Sequence, residues 1–452
     1  MLSRYSMLKE RTTARDIALE VLCQTEYYKR QVNLILHKTF QSSDLSSRDK
    51  RLVHELVYGV LRWRERLDWM INRFSRIPLA RMPLRIRNIL RMAMYQLSFT
   101  DKIPAWASVH EAVIQAGHYG HRGTKALVNA ILREYLRSPG AITYPDLHRD
   151  PLAHLRTVYS HPQRLVERWI SRYGIDTARK ICEYNNKIPL LSLRVNTLLI
   201  SRIALKEYLE AEGISVVLGA FAPECLKIES HIELRQAPFF QKGLCQVQDE
   251  ASMLINYLLT PQKGERILDA CAAPGGKATH IAQLIEDDGE IIAIDNNRYR
   301  LEQLKDNYQR LKITCIKPFL QDACQIPASW GEFDRILVDA PCSGLGVIRR
   351  HPEIKWLQRE EELDSYRSKQ LAILNGVKGC LKQGGVLIYS VCSLEPEETI
   401  NVVRQYLADN PGFSIDRVDG HFPWLDPDGF FWSLPALSHE MDGLFAVRLK
   451  KG

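Results

Sequence analysis

At 452 residues the chain exceeds one ordinary domain and predicts two or three. Its 45% hydrophobic and 25% charged residues are the make-up of a globular protein, and the lack of any run of about 18 apolar residues excludes a membrane-spanning helix. The net charge of +8 is uneven: residues 1–150 hold 25 Lys+Arg against 14 Asp+Glu, while the remainder is net −3, so nucleic acid is the natural partner of the first third.

The opening stretch scatters its charges and has no apolar core, so it does not read as a secretory signal; a cytoplasmic protein is expected. Ten cysteines are spread along the chain. None forms a C-x-x-C pair, which argues against a zinc knuckle or a thioredoxin-like site. Most are expected to be buried thiols packing as small hydrophobes.

Residues 1–140 read as an all-α domain. Ile86, Ile89, Leu90, Ala93, Met94 and Leu97 recur at helical spacing, with Arg85, Arg87 and Arg91 mostly off that face. Leu127, Ile131, Leu132 and Tyr135 repeat the habit. An arginine-rich exterior is expected. The turn formers of Ser138 to Pro151 mark a boundary. Residues 150–260 then read as a small α+β middle domain, helical over 161–186, with short strands at 190–195 and 215–218.

From 261 to 452 apolar stretches of strand length alternate with helices, at 266–270, 290–295, 333–339 and 385–390. That pattern predicts an α/β Rossmann-like domain, a parallel sheet covered on both faces. After its first strand comes Asp269-Ala-Cys-Ala-Ala-Pro-Gly-Gly-Lys277. A phosphate-cradling P-loop is excluded, because Cys271 and Ala278 stand where it needs Gly and Ser or Thr; the G-x-G-x-x-G fingerprint is absent too. The glycines still let a ligand approach the backbone closely. Asp295 ends the second strand, where a carboxylate can accept both hydroxyls of a ribose. Asp322 follows the third strand, where it is placed to receive an adenine amino group or its neighbour's backbone. Each acid alone reads as a helix cap; together, after such a turn, they favour a nucleoside ligand.

Two cysteines occupy equivalent places. The fourth strand runs into Asp339-Ala-Pro-Cys342-Ser-Gly, and a later one into Tyr389-Ser-Val-Cys392-Ser. Ligands of open parallel sheets bind beyond the carboxyl ends of the strands, so both thiols are expected at the crevice. Cytosine methylation at C5 has work for two such groups. A thiolate adding to C6 makes C5 nucleophilic, and a second group assists its later release. Asp339 is suited to hold or protonate ring N3, with Lys277 orienting that carboxylate. The base must leave its stack to react.

The three segments D-A-C-A-A-P-G-G-K, D-A-P-C-S-G and Y-S-V-C-S, in this order, resemble the RNA 5-methylcytosine methyltransferases of the Nop2/Sun family. Gly346-Val-Ile-Arg-Arg-His-Pro-Glu-Ile-Lys-Trp356 is similar to the bacterial 16S ribosomal RNA branch of that family, as is the helical domain, which resembles NusB. The resemblance implies a class I methyltransferase domain using S-adenosylmethionine, bound by Cys271, Ala272, Ala273, Pro274, Gly275, Gly276, Lys277, Asp295, Asp322 and Asp339. It implies that Cys392 attacks C6 and that Cys342 serves product release. It further implies 16S ribosomal RNA or a small-subunit precursor as partner, with the enzyme a monomer. Arg194-Val-Asn196 and Gln246 to Ser252 also resemble family segments, whether for packing or for substrate contact. One departure is Val391, where the family usually has Thr before the nucleophile. The competing readings are a DNA cytosine-C5 methyltransferase, which would use the cysteine of the P-C motif as nucleophile, and a non-catalytic RNA-binding assembly factor.

Overall fold

A computed structural model describes residues 13–230, 232–418, 424–435, 437 and 440–452. By its internal contacts the chain forms two units. One runs to Lys187 and takes in Ile348–Gln358; the other comprises Ile188–Val347 and Arg359–Gly452.

The first unit is helical: α1 (Ala14–Tyr28), α2 (Val32–Gln41), α3 (Ser47–Phe74), α4 (Leu84–Phe99), α5 (Ala105–Tyr119), α6 (Arg122–Arg137), α7 (Pro151–Val158) and α8 (Gln163–Asn185). Polar caps start several of them. Thr13 and Asp16 close a capping box on α1, and Ser46 and Asp150 each accept an N–H from the first turn of α3 and α7. The expected apolar face of α4 is inside, with Ile86, Ile89, Leu90, Ala93 and Met94 all buried.

The expected arginine exterior needs correcting. Arg91 is 3% exposed, its guanidinium forked onto both oxygens of Asp68 at 2.6 and 2.7 Å and bonded to Glu26 at 3.1 Å. Arg87 also reaches Glu26, and Arg85 reaches Glu20. These arginines join α4 to α1 and α3; helical spacing places a residue on a face but does not show which neighbour covers it.

Helix α3 breaks at Trp63, whose φ/ψ of −109°/16° is not helical. A break leaves backbone groups that need other partners. The segment Ile348–Gln358, which ends in the short helix Ile354–Leu357, supplies them within this unit. Trp356 Nε1 donates to Leu61 O at 2.6 Å, and Lys355 Nζ donates to Arg62 O at 2.9 Å and Ser160 O at 2.8 Å. Glu65 N–H turns to Ser160 Oγ at 3.0 Å. Burial and the nearby Arg62 push the Lys355 ammonium well below its usual range.

The second unit opens with a four-stranded antiparallel sheet. Its strands are β1 (Leu191–Val195), β2 (Val216–Leu218), β3 (Cys225–Ile228) and β4 (Cys245–Val247), in the order β2-β3-β1-β4. The large sheet follows: β5 (Arg266–Asp269), β6 (Glu290–Asp295), β7 (Ile316–Leu320), β8 (Phe333–Asp339), β9 (Leu381–Val391), β10 (Phe413–Ile415), β11 (Phe430–Ser433) and β12 (Leu444–Lys451). The order is β10-β12-β9-β8-β5-β6-β7, with β11 on β12. Strands β5 to β9 pair in parallel as expected, but β10, β11 and β12 are antiparallel, so the sheet is mixed. Helices cover both faces. Ile291 and Ile292, adjacent on β6, enter different cores, as strand alternation requires. Val391 is fully buried in the same core as Tyr389 and Phe445. No helix among the described residues is long and apolar enough to cross a membrane.

Candidate active site

The tips of β5, β6, β8 and β9 carry the site. The turn after β5 reaches the helix Gly276–Leu284 through Gly275, whose φ is +100°, a left-handed conformation suited to glycine. A Cβ on Gly276 would meet nothing within 4 Å, so that backbone is open to a ligand. Asp295 secures the turn: its Oδ2 accepts from Ala273 N–H at 3.3 Å and its Oδ1 from Asn297 N–H at 2.9 Å. Asn307 donates to Pro274 O at 2.9 Å, and Arg300 donates to Ala273 O. Asp322 is exposed and caps its own loop, accepting from Cys324 N–H at 2.9 Å.

The helix after the turn is held from below by the small sheet. Arg194 of β1, 1% exposed, donates to Gly276 O at 2.6 Å and to Thr279 Oγ1 at 2.9 Å. Burial lowers its pKa to about 9. Asn256 donates to Lys277 O at 3.0 Å. Asn196 donates to Gly243 O and Leu311 O. Arg194 and Asn196 are therefore packing residues.

Lys277 Nζ reaches Asp339 Oδ2 at 2.7 Å, and Ser390 Oγ donates to Asp339 Oδ1 at 2.8 Å. The parallel register sets Asp339 opposite Ser390. Three residues beyond the first and two beyond the second, Cys342 Sγ and Cys392 Sγ stand 3.1 Å apart. The hydrogen bond to Cys392, then burial, raises the Cys342 thiol well above its usual range. The Cys271 thiol is raised too, by burial and then by Asp269, Asp339 and Asp295.

Two residues of this region were missed in the sequence. Asp269 is 1% exposed, and neither oxygen has a well-formed hydrogen bond, with only weak support from Cys271 N–H. Burial, then Asp339, pushes its pKa up to about 7 against the pull of Lys277. Its place in the motif was visible, but its burial between β6 and β8 was not. Glu398, in a 3-10 turn, lies under both cysteine loops and is raised by burial while Ser343, Ser393 and Gln370 pull it down. Nothing in local sequence marked it.

Comparison with known proteins matches three family models in order. They are the NusB family over residues 12–137, the ferredoxin-like domain of RsmF/B-like methyltransferases over 161–235, and 16S rRNA methyltransferase RsmB/F over 256–450. The probable ribosomal RNA small subunit methyltransferase B of Bacillus subtilis is 38% identical over 409 residues, spanning 90% of this chain and 91% of that one. The chain belongs to the RsmB/F family of 16S ribosomal RNA methyltransferases. Its Synechocystis relative, also a probable ribosomal RNA small subunit methyltransferase B, is 32% identical over 97% of this chain and 99% of its own. The crystal structure of PH0851 superposes with a TM-score of 0.80 at 26% identity, covering 98% of this chain and 100% of that one. NSun6 from Pyrococcus horikoshii, solved with SFG, gives 0.59 at 25% identity over 65% of this chain and 99% of its own. The expected fold class holds in all three parts, helical NusB-like, small α+β and Rossmann-like, and membership of a ribosomal RNA family speaks against the DNA methyltransferase reading.

Proposed function

We propose that this RsmB/F-family chain methylates carbon 5 of a cytosine in 16S ribosomal RNA or its small-subunit precursor, through a covalent Cys392–C6 adduct. The observation that carries this reading is the thiol pair, 3.1 Å apart at the ends of adjacent parallel strands whose register also sets Asp339.

The cofactor is S-adenosylmethionine, whose analogue SFG accompanies the Pyrococcus NSun6 structure. Bound, it supplies an electrophilic methyl on a sulfonium. The residues fit such a group: an open backbone at Gly276, the Cys271 to Lys277 turn, Asp295 at a strand tip, and buried Asp269 oxygens in need of a donor. Asp322 and Asp339 complete the set.

The chain's own groups do the rest. The Cys392 thiolate's electron pair forms the S–C6 bond, the C5=C6 π pair shifts toward C4, and N3 takes a proton near Asp339, which leaves C5 the nucleophilic carbon of an enamine. Lys277 holds that carboxylate in place. Once C5 is methylated, its proton must go to a base, N3 returns its proton, and the C6–S bond breaks to give back the thiolate. Adduct formation removes the largest cause of the high Cys342 pKa, its bond to Cys392; burial still holds the thiol up, and Cys342 assists release from its place beside the adduct sulfur.

Residues 1–140 serve RNA binding, the small sheet of the 150–260 segment braces the cofactor helix through Arg194, and 261–452 perform the transfer, in a cytoplasmic monomer. Substitution tests the roles. Cys392→Ala should lose methyl transfer to 16S ribosomal RNA, and Cys342→Ala should accumulate an RNA adduct stable to denaturing gels. Full transfer by Cys392→Ala would overturn the assignment. Mapping 5-methylcytosine with and without the protein tests the position.

A further inference from the structure

The two cysteine loops share one anchor. Glu398 is 0% exposed. Its Oε1 accepts from Ser343 N–H at 2.8 Å and from Gln370 Nε2 at 3.2 Å; its Oε2 accepts from Ser343 Oγ and Ser393 Oγ, both at 2.5 Å. Ser343 follows Cys342, and Ser393 follows Cys392. Ser343 Oγ also lies 3.2 Å from Ser393 Oγ. Gln370 donates in addition to Pro341 O at 3.1 Å, the residue before Cys342. The Glu398 carbonyl accepts from Tyr389 Oη at 2.6 Å, fixing the turn to β9.

The four donors to this carboxylate are neutral, and two of them, the Ser343 backbone N–H and the Gln370 NH2 group, can only donate. Burying an acidic group costs free energy that these bonds must offset. A simple core would place an apolar side chain here. What the carboxylate adds is geometry: one rigid, planar group receives a rung from each cysteine loop.

We propose that Glu398 is a positioning residue that sets the spacing of Cys342 and Cys392 by bracketing Ser343 and Ser393. The inference rests on the roles proposed above for the two thiols. Misplacing a reacting group by about 1 Å costs on the order of a hundredfold in rate. The bracket therefore governs both attack and release without touching RNA or cofactor.

The test separates this spacing from the catalytic roles. Diamide accepts the two thiol hydrogens, becoming the hydrazine as the Cys342–Cys392 disulfide closes, and closure in the full chain is followed by peptide mass mapping. It requires neither RNA nor methyl transfer. In Ser343→Ala/Ser393→Ala, closure should slow by about tenfold, since it depends on thiol placement. S-adenosylmethionine affinity should stay unchanged, which verifies that the variant is folded. Turnover on small-subunit ribosomal RNA should fall about a hundredfold, with the covalent adduct accumulating. Glu398→Gln, nearly the same shape, should show the same effects in weaker form. Closure within twofold of the unsubstituted protein in both variants would overturn the bracket whatever the cysteines do. Slowed closure with normal turnover would uphold the bracket and sink the proposed roles of the thiols.

Discussion

Asp269 is a carboxyl held without a proper partner at the tip of β5, and it ties stability to pH. Its folded pKa of about 7 lies above its ordinary 3.8. Below 3.8 the group is neutral in both states. As pH rises toward 7 only the unfolded chain releases the proton, so stability falls across that window and levels off above it. The full loss is about 4 kcal/mol. Asp269→Asn should flatten this slope, measured as denaturant midpoints from pH 4 to 7.5. A slope that persists unchanged would move the titration to another group. The cysteines were legible because a strand end is a sequence feature and a thiol is rare there. Asp269 stood in a quoted motif, yet its isolation comes from strands on either side. Glu398 was illegible because its partners lie 55, 28 and 5 residues away.

Parallel strands β5, β6, β8 and β9 could be read from apolar runs, and their boundaries hold within a few residues; β7 was marked only by Asp322 after it. The antiparallel strands β10 to β12 gave no such signal, being short or rimmed by charge, as Arg448, Lys450 and Lys451 show. The loop leaving β8 illustrates what pairing demands. Gly346 N–H donates to Cys392 O at 2.9 Å, while Gly346 O accepts from Gly443 N–H at 2.8 Å. A Cβ at Gly346 would stand 1.9 Å from Gly443 O. Gly346→Ala must push this loop away from the end of β9. We expect S-adenosylmethionine binding by calorimetry to persist, with methyl transfer reduced about a hundredfold. Equal losses in both would mean that the loop carries the cofactor site as well.

For the molecule as a whole, the basic excess is smaller in effect than its count. Arg85, Arg87 and Arg91 are engaged with acids inside the helical unit. Exposed cations remain elsewhere, as with Arg122 and Lys125, which line a groove of about 390 Å³ beside His118 and His121. If these contact phosphate, Arg122→Ala/Lys125→Ala should lower the slope of log affinity for ribosomal RNA against log salt by roughly 1.4. An unchanged slope would place the phosphate contacts on another face.

The broken helix α3 depends on residues from the far side of the catalytic motif, since Lys355 and Trp356 cap the carbonyls opened at Trp63. Heredity is constrained by that dependence. Exchanging the first 187 residues for those of a distant relative would leave a foreign kink facing a native plug. Recombination within such a gene should therefore succeed only when codons near 62 and 355 travel together. The helical unit and the segment 348–358 are thereby held to a shared inheritance, although residues 188–347 separate them in the chain.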